Sequence, residues 1–335
     1  MTVRWVAGVV AALLVAGCQA GSPVAEELDV SGDLRTHDPG LVVGTDDHPW
    51  LVFSTGDPRV AQGAIQVRTS TDGREWRYAG EAWGPDTAPQ WAVEEIAGVE
   101  NFWAPEVVQH EGTWYLYYSA STFGSNTSAI GLMTNDELDA EDPSAGWTDR
   151  GQVVSSDGSK DYNAIDPAVL VDEEDRGWMA FGSFWGGIQL VPLDLPSGTV
   201  VEGAEPVTIA SRQTATNAIE APALLYRDGW YYLFVSFDSC CRGTASTYNI
   251  NVGRARSPEG PYLDAEGVDL AEGGGTLLLE TVDKRIGPGG QSVSGDHIAY
   301  HYYDADLGGD FQLAIRTFGW RDGWPILRTE SETTK

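Results

Sequence analysis

Asp38, Asp166 and Glu220 each stand within two residues of a proline, at the head of three copies of one phrase. The copies read His37-Asp38-Pro39 before Trp50-Leu51-Val52-Phe53-Ser54, and Ile165-Asp166-Pro167-Ala168-Val169 before Trp178-Met179-Ala180-Phe181-Gly182. The third is Ile219-Glu220-Ala221-Pro222 before Trp230-Tyr231-Tyr232-Leu233-Phe234-Val235-Ser236. One Asp before Pro is most simply a turn cap. Three acids at matching places in a repeat mean more, because whatever gathers the repeats gathers the carboxyls. Clustered carboxyls raise one another's pKa, a cost found mainly at functional sites. Two carboxyls flanking one bond are what glycoside hydrolysis needs: one protonates the leaving oxygen, and the other activates water or attacks the sugar. Rival chemistries lack their residues. There is no Ser-His-Asp arrangement, and Gly273-Gly274-Gly275 lacks the strand-turn-helix setting of a phosphate loop.

The elements that must position these acids follow from the same repeat. A further copy runs Ala104-Pro105-Glu106-Val107 before Trp114-Tyr115-Leu116-Tyr117-Tyr118-Ser119. A fainter one, without an acid, runs Gln291-Ser292-Val293 before His297-Ile298-Ala299-Tyr300-His301-Tyr302-Tyr303. The copies lie roughly 60 residues apart, about what four short antiparallel strands and their turns occupy. Each is followed by another strand-like run, such as Ile130-Gly131-Leu132 or Ile250-Asn251-Val252. Five units arranged radially give an all-β, five-bladed β-propeller. Residues 114–118 and 230–235 are apolar on both faces, as strands between neighbouring blades must be. A β-sandwich would not explain five copies of one opening phrase, and a parallel β-helix repeats at a much shorter period. In a propeller the first strand of each blade lines the central channel. Asp38, Asp166 and Glu220 are therefore expected to converge at one mouth, with Glu106 a structural echo. Phe102, Trp103, Phe123 and Trp185 lie near that mouth and offer faces on which sugars stack, although packing would explain any one of them alone.

Composition narrows the partners. The 335 residues carry 50 acids against 20 bases, a formal net charge of −30. That balance argues against nucleic acid, whose phosphates demand Lys and Arg, whereas a neutral polysaccharide is indifferent to it. Arg4 precedes an apolar run over residues 5–16, too short for a comfortable membrane span, which ends Val15-Ala16-Gly17-Cys18. This reads as a lipobox: signal peptide 1–17, lipidation at Cys18, a polar tether over 18–33, the propeller over 34–329 and a tail over 330–335. The product would be an exported monomer, secreted or held on the outer face of a bacterial membrane by its lipid alone. Cys240 and Cys241 are adjacent, and their backbone spacing is tighter than bridges prefer. Two buried thiols or a vicinal bridge are both open, in either case structural, and no further ligand stands nearby for a metal.

The phrases resemble glycoside hydrolase family 43, and within it the arabinan endo-1,5-α-L-arabinanases. The resemblance spans residues 36–325. It rests on Asn101-Phe102-Trp103-Ala104-Pro105-Glu106-Val107, Asn163-Ala164-Ile165-Asp166-Pro167, Phe181-Gly182-Ser183-Phe184-Trp185-Gly186-Gly187-Ile188 and Ala218-Ile219-Glu220-Ala221-Pro222. It implies a five-bladed propeller that cleaves α-1,5-linked arabinofuranose with inversion. Asp38 would be the general base, Glu220 the general acid and Asp166 the residue that orients the acid and tunes its pKa. Trp103 and Phe123 would border the sugar subsites, with Trp185 beside them, and Asn163 and Ser183 would hydrogen-bond the sugar at the cleavage point. Inversion needs the two working carboxyls about 6.5–9.5 Å apart to admit water.

One departure stands out. Many bacterial relatives carry a histidine after Gly-Pro-Gly in the fifth blade that helps hold a metal, a calcium ion in the central channel. Here Gly290 occupies that place in Gly287-Pro288-Gly289-Gly290-Gln291-Ser292, so no metal ligand and no required cofactor is assigned. His301 reads as a packed strand residue. Endo action is expected. An exo-arabinanase, an arabinofuranosidase or xylosidase, and a surface glycan-binding propeller are the alternatives, and insertions after Trp76 and after Asp136 are where a wall closing one end would be built.

Overall fold

The two-faced apolar runs become the second strands of five sheets. In a computed structural model, which describes residues 25–327, the strands Thr113–Ala120 and Trp230–Phe237 are buried except at their first residues. A period of two sends alternate side chains to opposite neighbours. Trp114, Leu116 and Tyr118 pack with Leu51, Phe53 and Val67 of the first sheet, whereas Tyr115 and Tyr117 pack with Met179, Phe181 and Val191 of the third. Leu233 and Val235 meet Ala180 and Leu190 of the third sheet, and Tyr232 and Phe234 meet Ile298 and Tyr300 of the fifth. Leu41, Val52 and Trp76 join Ala299, Leu313 and Ile315, closing the fifth sheet onto the first. Each blade interface thus has its own apolar cluster, and the architecture is the expected five-bladed propeller.

The innermost strands are Gly40–Val42, Phe102–His110, Ala168–Val171, Ile219–Arg227 and Arg285–Ser294. They neighbour one another in turn around the axis, the last against the first. Ring closure uses residues that the sequence reading placed in the tether. Leu28 N–H donates to Ile315 and Thr317 N–H to the carbonyl of Glu26, while Ser31–Gly32 pairs in parallel with Glu75–Trp76 of the first blade. The buried Arg316 donates to Glu27, pinning this segment from the fifth blade. Unpaired edges are costly in β-structures, and this stretch covers that of blade five through a bridge at Glu27 and the Leu28 hydrogen bond. The signal peptide, Cys18 and the tail 330–335 lie outside the described residues.

The repeated phrase has a common backbone shape. Asp38, Ala104, Asp166, Ala221 and Gly290 occupy equivalent places, each one residue before Pro or Gln291, and all have positive φ, between 42° and 58°. Only Gly adopts this region freely; for other residues the cost is about 1–2 kcal/mol, least for Asp and Asn. In blades two, four and five the strand pairing shifts register across this point, at Trp103/Glu106, Glu220/Ala223 and Gly289/Ser292. Such bulges re-aim side chains beside active sites. The acids therefore do not occupy one register. Asp38 and Asp166 are the left-handed residues themselves, Glu220 precedes one, and Glu106 lies two beyond one.

The two insertions pack on blades. Trp83 sits against Phe102 and Tyr118, the short helix Gln90–Glu95 buries Ala92, and Trp147 lies edge-on to Phe53.

Candidate active site

Asp38 lies where blade one meets blade five, and its surroundings consist of hydrogen-bond donors. His37 Nδ1 donates to Oδ2 at 2.7 Å, and Thr55 Oγ1 donates to the same oxygen at 2.7 Å. The Asp38 N–H donates to Nδ1 of His301 at 3.1 Å, and that imidazole stacks on His37 with ring centroids 3.8 Å apart. Burial alone would raise the carboxyl, but the charge and hydrogen bond of His37, the field of His301 and the Thr55 hydroxyl outweigh it and hold the pKa at about 2. Asp38 is therefore ionised at any working pH. Gly290 gives it room: a Cβ there would lie 2.5 Å from Asp38 Oδ1 and 2.7 Å from the His301 ring.

Glu220 lies across the mouth on blade four, 8% exposed. Ser183 Oγ donates to its Oε2 at 2.6 Å, and the hydroxyl of the buried Tyr248 bonds Oε1. Burial pushes Glu220 up; the two hydroxyls pull it back in part, and the negative charge of Asp38 adds to the rise. Asp166, on blade three, accepts the N–H of Ala221 at 3.1 Å and so grips the strand that carries Glu220. Burial and the charges of Glu220 and Asp38 drive Asp166 well above the usual carboxylate range. Each of these two carboxyls thus holds its proton more tightly than an isolated carboxyl would.

All three acids open into one cleft of about 1160 Å³ that also takes in Trp103, Phe123, Asn163, Ser183 and Trp185. Every site residue expected within the fold is thereby brought together. Phe123 is 84% exposed and Trp185 41%, so these rings do not serve blade packing, whereas Phe102 is buried against Trp83 and does. Trp185 is displayed by a turn in which it and Phe184 both have positive φ, held by Asn217 Nδ2 on the Trp185 carbonyl and by Phe184 N–H on Ile219. Asn163 lines the cleft at 3% exposure, and its Oδ1 has no hydrogen-bond partner among the described residues. Neither insertion contributes to the cleft lining.

The sequence reading missed the partners. His37, Tyr248 and Tyr303 were passed over, and His301, read as strand packing, is buried but bonded to Asp38. Cys240 and Cys241 form a vicinal disulfide. It is neither buried nor remote, for both residues line the cleft. The adjacency of His37 to Asp38 and the Tyr-His-Tyr-Tyr run of blade five were the available signals.

The metal that the resemblance brings with it does not fit these residues. Gly290 offers no ligand atom. Gln291 is committed, its Oε1 accepting from Ser236 and its Nε2 donating to the Ala221 carbonyl. His37, Asp38 and His301 bring three ligand-type atoms close together. Three of the four ring nitrogens are spent, though: His37 Nδ1 on Asp38, His37 Nε2 on Tyr303 OH and His301 Nδ1 on the Asp38 N–H. With Nδ1 an acceptor, a neutral His301 carries its proton on Nε2, which is then a donor and not a ligand. Beneath the acids a cavity of about 20 Å³ lies on the axis, lined by Asp38, Glu106, Asp166 and Gln291. Burial there pushes Glu106 up to about 8, against one opposing hydrogen bond from Val169 N–H. Glu106 is thus a neutral axial acid that takes no part in the cleft.

Comparison with known proteins agrees with this geometry. The profile of glycosyl hydrolases family 43 matches residues 29–325. The extracellular endo-α-(1→5)-L-arabinanase 1 of Bacillus subtilis is 40% identical over 296 residues, 86% of each chain. The extracellular exo-α-(1→5)-L-arabinofuranosidase ArbA of Cellvibrio japonicus is 38% identical, over 94% of this chain and 90% of its own. Among solved structures, a family 43 endo-arabinanase from Bacillus licheniformis superposes with a TM-score of 0.82 at 40% identity, covering 89% of this chain and 99% of that one.

Proposed function

The chain belongs to glycosyl hydrolase family 43, and from that premise we propose that it cleaves α-1,5-linked L-arabinofuranosyl chains internally, with inversion. The observation carrying this reading is the pairing, in one cleft, of a carboxyl that hydrogen-bond donors keep ionised with a buried carboxyl whose proton affinity is raised. Asp38 takes a proton from the attacking water. Its Oδ2 already accepts from His37 and Thr55, which leaves Oδ1 for that water. Glu220 gives its proton to the departing glycosidic oxygen and regains one before the next turnover. Asp166 keeps the acid oriented through Ala221 and keeps its proton affinity high. Trp103, Phe123 and Trp185 stack on the sugars, and Asn163 and Ser183 hydrogen-bond the ring at the cleavage point.

Endo action is supported by the cleft. At about 1160 Å³ it exceeds the roughly 300–1,000 Å³ of ordinary small-molecule pockets, and no insertion walls one end. The exo-acting relative keeps the exo reading in play. Time-resolved digestion of debranched linear arabinan decides: a ladder of oligomers is the expected result, and one small product from the start would mean exo action. No cleavage with binding retained would leave a glycan-binding propeller. For localisation, both relatives are named extracellular. Anchoring through Cys18 predicts that the exported protein partitions into detergent and that Cys18→Ala releases it to the aqueous phase.

A further inference from the structure

The disulfide turn reaches the proposed base through an unbroken set of hydrogen bonds. Cys241 N–H donates to Tyr303 OH at 2.7 Å. Tyr303 OH lies 3.0 Å from His37 Nε2, and His37 Nδ1 lies 2.7 Å from Asp38 Oδ2. With His37 neutral, one proton arrangement serves every link. An ionised carboxylate only accepts, so His37 must carry its proton on Nδ1. A neutral His37 then has a lone pair on Nε2, so Tyr303 must donate there. The phenol oxygen is free to accept from Cys241. Tyr303 can fill this role because burial raises its pKa far above neutrality and keeps the phenol intact. Cys241 has φ 65° and its Sγ lies 3.9 Å from His37 Nε2, so the turn presses against the ring as well as directing the phenol. His37 and Tyr303 lie 204 and 62 residues from the turn in sequence.

We infer that the Cys240–Cys241 turn is a positioning device for Asp38: acting through Tyr303, it fixes the tautomer and orientation of His37, so that Asp38 Oδ1 is aimed at the attacking water. Tyr303, Cys240 and Cys241 are positioning residues here. The inference rests on the proposed hydrolysis for its kinetic consequence but not for its structural one.

The test pairs two perturbations of the full-length protein. One is Tyr303→Phe. The other is opening of the disulfide, either by dithiothreitol, which passes two electrons and two protons to the sulfurs and becomes a cyclic disulfide, or by Cys240→Ser/Cys241→Ser. On linear arabinan each should lower kcat about ten- to a hundredfold, the scale of a misplaced catalytic group, with KM within about twofold. The acid limb of kcat/KM should move to higher pH as Asp38 loses its fixed donor. The groups facing Asp38 in that titration are His37, His301, Thr55, Asp166 and Glu220. Combined, the two perturbations should cost little more than one. Nitrogen-15 spectra of the imidazoles provide a readout that needs no substrate: His37 should show the Nδ1–H tautomer in the oxidised protein and a tautomer mixture after either perturbation. A His37 signal unchanged by reduction would overturn the inference, as would additive kinetic losses or a rise in KM at constant kcat, which would make the turn only a wall of the cleft. Tautomer shifts as expected in a protein that leaves arabinan intact would uphold the inference and sink only the proposed function.

Discussion

Asp38 and Glu220 face one cleft from opposite sides, and their partners differ in kind. Around Asp38 stand a ring N–H, a second imidazole and the Thr55 hydroxyl. Around Glu220 stand two hydroxyls, from Ser183 and Tyr248, and its charge is felt by the Asp166 carboxyl. A ring N–H fixed by its own partners can only donate, so it rewards the anion. A hydroxyl donates to a carboxylate or accepts from a carboxylic acid by turning its proton. The base side is thus committed to one charge state, whereas the acid side is poised between two. That is the division of labour an inverting hydrolase needs, and it is produced by partners, not by the carboxyls themselves.

The contrast breaks most completely when either carboxyl becomes an amide. Asp38→Asn and Glu220→Gln should each cost about 10²–10⁴-fold in kcat on arabinan. The two should then part company on an aryl arabinoside with a good leaving group, which restores part of the rate to Glu220→Gln and none to Asp38→Asn. Equal losses on both substrates would contradict the assignment.

Next in size is Asp166→Asn. The charge next to Glu220 makes the pair's second ionisation difficult, so removing it should shift the alkaline limb of kcat/KM to lower pH and reduce kcat at neutral pH. Tyr248→Phe should shift the same limb the other way, to higher pH, because the hydroxyl favours the ionised form of Glu220. Shifts in one direction for both variants would mean that the hydroxyls and the third acid do not oppose each other.

The smallest effect on rate, and a clear one on stability, belongs to Glu106→Gln. In the native protein Glu106 holds its proton up to about pH 8, while unfolded chains release it near the ordinary value of 4.5. Between those values the native state binds more protons than the unfolded state, so this group makes stability fall as pH rises, by at most about 1.4 kcal/mol per pH unit. The difference in thermal midpoint between Glu106→Gln and the parent should therefore be small at pH 4 and widen in favour of the amide by pH 8. A constant difference would mean that Glu106 ionises normally.

Much of this was legible in the chain. The alternating aromatic runs could belong only to strands covered on both faces, and five of them forced a ring. The acid-proline phrase pointed to Asp38, Asp166 and Glu220, and the neighbouring phrases to Trp103, Phe123, Asn163, Ser183 and Trp185, all of which line one cleft. What stayed hidden was of another sort. The one-residue offset between Asp38 and Glu220 depends on left-handed bulges that no residue pattern announces, since Ala104 and Ala221 adopt them against their own preference. The tether looked polar enough to be loose, yet part of it closes the ring, because a free edge on blade five recruits the nearest strand-compatible segment.

The sequence by itself settled which residue types recur and at what period, and hence the architecture and the acids that gather on its axis. Periodicity is local, so a linear text can carry it. The tertiary structure alone decided which carboxyl is held low and which is pushed up, what surrounds each, and that the Cys240–Cys241 bridge lies beside His37. Desolvation and Coulomb energy depend on distance through space, and the groups that set them for Asp38 come from opposite ends of the chain.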